Sequence, residues 1–175
     1  AALQRAVDGD TIEVPSGQYR GDVAVITQRH LTILGVGATR PVVLADGRDA
    51  EGEAIWVVRD GDITIENIEF RGARVADING AGIRFERGRL TVLRCAFFDN
   101  EMGLLTSNVE SASLLVVDSE FGQAPTHPGS LHRRRRQVVG ARLGRFGEFL
   151  GQFRGFIHIV VVEILIRIVD VHAVE

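Results

Sequence analysis

The sequence predicts an all-β chain, a parallel β-helix (β-solenoid) of about four to five coils with a short N-terminal capping helix. Three observations predict it. Segments 63–70, 90–97 and 114–121 align without gaps, and their starts are 27 and 24 residues apart. Each pairs apolar residues two apart (Ile63/Ile65, Leu90/Val92, Leu114/Val116), passes a turn at Asn67, Arg94 or Asp118, and closes on Phe70, Phe97 or Phe121. That is strand periodicity inside a longer repeat. A second set of short runs, Ile55-Trp-Val57, Gly82-Ile-Arg-Phe85 and Gly103-Leu-Leu-Thr106, precedes the first at a roughly constant offset. No helix-length segment separates these strands. A βαβ unit needs a crossover helix between parallel strands, whereas a coil of short strands and tight turns needs none.

Taken from the N terminus, Ala2-Leu-Gln-Arg-Ala6 is a short amphipathic piece placed to cap the end of the stack, where backbone and apolar side chains would otherwise be unpaired. Val23-Ala-Val-Ile26, Leu31-Thr-Ile-Leu34 and Pro41-Val-Val-Leu44 repeat the strand, turn, strand rhythm and supply the first coil. Like-on-like stacking of the later coils sets Phe70 over Phe97 over Phe121, and Ile65 over Val92 over Val116. No single coil can bury that apolar column alone. After Phe121 the pattern stops: the four consecutive arginines from Arg133 to Arg136 lead into a Gly-, Arg- and Phe-rich stretch and then a Val/Ile block. The turn residues stop as well, with no Asn after Asn108 and only Asp170 after Asp118. The expected division is therefore a β-helix over 1–130 and an atypical tail over 131–175. That tail is either a divergent cap or a truncated or frame-shifted end.

Bulk properties agree with one folded body. The chain has 175 residues, 45% of them hydrophobic, and a formal charge of −3, too small to steer it toward nucleic acid or an anionic membrane. Its most apolar stretch, 156–171, is interrupted by His158, Glu163, Arg167 and Asp170, a poor pattern for a membrane span. No charged-then-apolar leader precedes Leu3, so any signal peptide is expected to lie outside this sequence. The single Cys95 sits in an apolar run and reads as a small buried side chain.

The spaced pattern Ala2-Leu3, Ala6, Gly9-Asp-Thr-Ile12, Val14, Gly17 and Tyr19, followed by Leu31-Thr-Ile-Leu-Gly-Val-Gly37, is similar to the N-terminal signature of the pectin-lyase-like superfamily of right-handed parallel β-helix proteins. The resemblance covers residues 1 to about 123. It implies a right-handed coil and a secreted or periplasmic location, with polysaccharide or oligosaccharide as partner. It also implies that ligands lie along the outer face of the first strand of each coil. Asn67 stands where such proteins carry an Asn that bonds turn backbone, while Arg94 and Asp118 at the equivalent positions break a full asparagine ladder.

Alternation with Ile55, Val57, Ile83, Phe85 and Leu104 inside puts Trp56, Arg84, Glu86 and Leu105 on that outer face. Trp56 is a candidate to stack on a sugar ring, and Arg84, beside Glu86, to hold an acidic sugar's carboxylate. The competing reading has Trp56 covered by a loop and Arg84 paired with a nearby acid. Asp77 and Glu101, in loops that enter the face, join Arg84 as candidate catalytic groups for glycoside hydrolysis or lyase chemistry. Asp49, Glu51 and Glu53, with Asp46, carry oxygen donors of the kind Ca²⁺ takes, although their spacing also suits a solvated acidic loop. His127 and His132 flank a Pro-Gly turn. Two functions stand: an extracytoplasmic lyase or hydrolase of acidic glycans, or a non-catalytic structural or glycan-binding module. An enzyme needs Arg84 to meet two or more of Asp49, Glu53, Asp77 and Glu101.

Overall fold

The computed structural model of the chain describes residues 2–107, 109, 111–122, 137–142 and 167–168. Its elements come in successive triplets of short strands: β1 (Asp10–Pro15), β2 (Gln18–Arg20) and β3 (Ala24–Ile26); β4 (His30–Val36), β5 (Val42–Leu44) and β6 (Ala54–Val58); β7 (Asp62–Glu66), β8 (Glu69–Arg71) and β9 (Ala81–Phe85); β10 (Arg89–Leu93), β11 (Ala96–Phe98) and β12 (Met102–Thr106). Then follow β13 (Ser113–Gly122), β14 (Gln137–Arg142) and β15 (Arg167–Ile168). First strands pair only with first strands, second with second and third with third, always in parallel. The ladders run β1-β4-β7-β10-β13, β2-β5-β8-β11-β13 and β3-β6-β9-β12, and β13 is long enough to belong to the first two. The sheets are open, and the described residues contain no helix. None could therefore cross a membrane as a long apolar helix.

The register follows from burial. Leu31, Ile63, Leu90 and Leu114 align as one row, and Ile33, Ile65, Val92 and Val116 as the next. A slip of one residue would send every one of these side chains to solvent. In the last three repeats, β7, β10 and the first part of β13 are turned toward the second ladder by a residue in the left-handed region: Asn67 (φ 55°), Arg94 (φ 50°) and Asp118 (φ 48°). Asn and Asp tolerate that region because their short polar side chains bond locally. Asn67 Nδ2 donates to the Gly35 carbonyl of the preceding triplet at 2.8 Å, and Arg94 ion-pairs with Glu66.

The second ladder carries the aromatic column. Phe70 and Phe97 stack with centroids 5.3 Å apart, and Phe97 and Phe121 at 4.9 Å, with ring planes within 11° and 9° of parallel. The third ladder makes room for it. A Cβ at Gly82 would lie 2.7 Å from Phe97 Cδ1, and one at Gly103 would lie 2.5 Å from Phe121 Cδ1. The glycines are thus the other half of the stack.

The expected capping helix is absent. Residues 2–6 form one hydrogen-bonded turn, with Arg5 N and Ala6 N both donating to the Ala2 carbonyl, from which Leu3 and Ala6 pack on the core. Five residues cannot repay helix nucleation, and the Gln28 amide takes the Leu3 and Ala6 carbonyls instead. At the other end the direction changes: β14 pairs antiparallel with β13, and β15 antiparallel with β14. His127, His132, the arginines Arg133 to Arg136 and the expected boundary near residue 130 lie outside the described residues.

Cys95 is fully buried. Its Sγ faces the Ile65 and Leu93 carbonyls at 3.5 and 3.3 Å, and burial pushes the thiol up to about 11. An unfolded thiol ionises near 8.5, so this site stabilises the fold fully below that pH. The contribution fades as pH rises from about 8.5 to about 11. Cys95 should accordingly stay unreactive toward an aromatic disulfide reagent at neutral pH until denaturant unfolds the chain.

Phe97→Ala is expected to cost about 3 to 5 kcal/mol in a denaturant melt, since it empties the middle of the column. Gly82→Ala should cost about 1 to 3 kcal/mol by overpacking. Because Gly82 and Phe97 share one space, the double variant should be less destabilised than the two costs added, which a double-mutant cycle measures directly.

Candidate functional site

The third ladder has the register least expected from the sequence. Trp56, expected outside, aligns with the inward Ile83 and through it with Leu104, while Val57, expected inside, aligns with Arg84. Ile55 and Trp56 both enter the main core, whereas Ala54 and Val57 join a second apolar cluster with Ala50, Ala81 and Leu105. Two consecutive inward residues break strict alternation in β6, whereas in β9 and β12 Gly82 and Gly103 leave space for the phenyl rings.

Trp56 is consequently not a platform for sugar. It is 3% exposed, stands edge-on to Phe70 at 4.9 Å, and its indole N–H donates to the Asp22 carbonyl at 3.0 Å. A large aromatic with one polar tip is satisfied inside when that tip finds an acceptor. Val57 takes the outward place beside Arg84 and Leu105 in the aligned row, under the loop that carries Ala50.

Arg84 does face outward. Its Nε lies 3.0 Å from Glu53 Oε2, and one terminal nitrogen donates to Ser107 Oγ at 2.9 Å. Glu53 precedes β6, Arg84 lies on β9 and Ser107 follows β12, so this polar line crosses three successive strands along the stacking axis. A second line runs beside it, in which Arg59 pairs with Glu51 and places its Nε 3.2 Å from Glu86 Oε2. The Glu51 hydrogen bond, then the charge of Glu86, push the Arg59 guanidinium above its usual range. Both Nε approaches are electrostatic contacts rather than aligned hydrogen bonds. Partly exposed pairs of this kind contribute little to stability, so their effect is on position.

The proposed acids do not converge. Asp49 Oδ1 accepts from Gly52 N at 2.6 Å, Glu51 goes to Arg59 and Glu53 to Arg84. Among the described residues no group of three or more His, Cys, Asp or Glu is gathered as a metal site requires, so the Asp49, Glu51 and Glu53 ligand set is not assembled. Glu101 points back into the preceding loop: its Oε2 accepts from Gly80 N at 2.7 Å and from Val75 N at 3.1 Å. Asp77 sits exposed at the tip of that loop, beside Ile78, which is 74% exposed at φ 57°. For a β-branched residue that backbone is strained. Of Asp49, Glu53, Asp77 and Glu101, Glu53 is the one that ion-pairs with Arg84.

Sequence reasoning did not find Ser107, Arg59 or Asn100. Arg59 and Ser107 each follow a third-ladder strand directly, with Glu86 at the same place in the repeat between them, and that shared position was the available signal. Asn100 was visible only as a loop residue, yet its Oδ1 accepts from Ala73 N at 2.9 Å and its Nδ2 donates to the Phe70 carbonyl at 3.0 Å. Comparison with protein-family models, curated proteins and solved structures finds no match for this chain.

The burial of Trp56 has a direct optical check, since it is the only Trp in the chain. Its emission should be blue-shifted and resistant to iodide quenching in the native state, and should become red-shifted and quenchable across the melt. Quenching in the native protein would restore Trp56 to the outer face.

Proposed function

We propose that the chain is a right-handed parallel β-helix of the pectin-lyase-like kind, and that it acts outside the cytoplasm as a glycan-binding module. In this reading the three ladders are the three faces of the coil, and an extended sugar chain lies along the outside of the third. The observation that carries the reading is the Glu53, Arg84, Ser107 line, which runs across successive strands with the Glu51, Arg59, Glu86 line beside it. Parallel strands are about 4.8 Å apart, so the Glu53, Arg84, Ser107 line, which reaches over three strands, offers donors and acceptors over roughly 10 Å, a length comparable to a disaccharide. Arg–carboxylate pairs whose remaining N–H and oxygen positions face outward suit sugar hydroxyls.

Binding is favoured over cleavage by how the carboxylates are used. Glycoside hydrolysis needs two carboxyl groups facing one bond, one of them held protonated. Here Glu51, Glu53 and Glu86 are paired with arginines, and Glu101 holds two backbone amides. A lyase needs a base beside the α-proton, and an ion-paired guanidinium is a poor one.

Affinity electrophoresis through gels containing polygalacturonate or a neutral β-glucan tests the proposal. The wild-type chain should be retarded by at least one of them and Arg84→Ala should not, with no reducing ends and no unsaturated uronate released from either polymer. Release of product would make the protein an enzyme. The absence of retardation in both gels would remove glycan as the ligand.

A further inference from the structure

Three loops enter the third ladder at equivalent positions, ending at Glu53, Gly80 and Glu101, and backbone hydrogen bonds join them in series: Ala81 N donates to the Glu53 carbonyl and Met102 N to the Gly80 carbonyl, each at 2.9 Å. The middle loop, 72–80, has the most unusual backbone, with Ile78 exposed in the left-handed region and Asp77 exposed beside it. Such a conformation persists only where its surroundings over-determine it. The surroundings that do so come from the next repeat. Asn100 takes Ala73 N and the Phe70 carbonyl, Glu101 N donates to the Ala73 carbonyl at 3.2 Å, and the Glu101 carboxylate takes both Val75 N and Gly80 N. One carboxylate oxygen therefore ties the two ends of the loop tip together. Gly80 is what lets it approach: a Cβ there would lie 2.8 Å from Glu101 Oε2.

We propose that Glu101 is a positioning residue for ligand binding, one that presents Asp77 and Ile78 at the rim of the third-ladder face. The loop enters β9 only three residues before Arg84, so a fixed tip and the Arg84 line form two sides of one binding site. The proposal rests on the glycan-binding reading and adds to it the residue that pre-organises the site. Rigid presentation saves the ordering cost that a loose loop would impose on binding.

The test is made on the full chain, with affinity electrophoresis in whichever glycan gel retards the wild type, alongside amide hydrogen exchange. In Glu101→Ala, the Val75 and Gly80 amides should exchange faster while those of β7 and β10 keep their protection, and glycan affinity should fall about tenfold. Glu101→Gln should restore both properties, because a single oxygen accepts both bonds. Asn67→Ala, which weakens a turn on another ladder, should lower thermal stability and leave affinity as it was. Wild-type affinity in Glu101→Ala, or failure of Gln to restore it, would overturn the positioning role and leave glycan binding standing. A wild-type chain that binds neither glycan would overturn both.

Discussion

Every feature of this structure depends on parallel strands stacking in register, like side chain on like. The row Leu31, Ile63, Leu90, Leu114 and the rings of Phe70 and Phe97 are buried because neighbouring repeats cover them, and Phe121, stacked at the end of the column, is half-buried. A single repeat is too thin to exclude water from both ends of such a side chain. Register is consequently under strong constraint, and the turns are where it is set. The left-handed residues Asn67, Arg94 and Asp118 break the last three repeats at the same place, and the second strands there fall into line below one another.

The aromatic column then shapes the third ladder. Rings stacked about 5 Å apart in the second ladder extend across the interior and occupy the volume that side chains at positions 82 and 103 would need. In the repeat above, Ile55 and Trp56 fill this region together, with Trp56 set edge-on to Phe70. The outer face of that ladder therefore begins with small and aliphatic residues, and its polar chemistry is confined to Arg84 and the groups just beyond each strand end.

Polar groups near that face serve two purposes. Some fix loops: Glu101, Asn100 and Asp49 spend their oxygens on backbone amides, as buried or turning backbone requires. Others neutralise arginines in lines that follow the stacking axis. Both uses leave Glu51, Glu53, Glu86 and Glu101 engaged with arginines or backbone amides, which is why binding rather than cleavage is the function proposed.

The sequence by itself determined the repeat, the parallel register of the first two ladders and the Phe column, because those rest on apolar residues at fixed spacing, and burial of such rows leaves one solution. It also placed Arg84 outward and Asn67 in a turn that bonds its neighbour. It did not determine the inside and outside of β6, since alternation assumes a straight strand. There Ile55 and Trp56 both turn inward, Trp56 against Phe70 of the next repeat, a demand that comes from a residue outside the strand itself. Nor did it show a cap of one turn rather than a helix, or the partners of Glu53 and Glu101. Carboxylate pairing depends on which loops are brought side by side, and only the tertiary structure decided that Glu53 would meet Arg84 while Glu101 would turn back to hold Gly80.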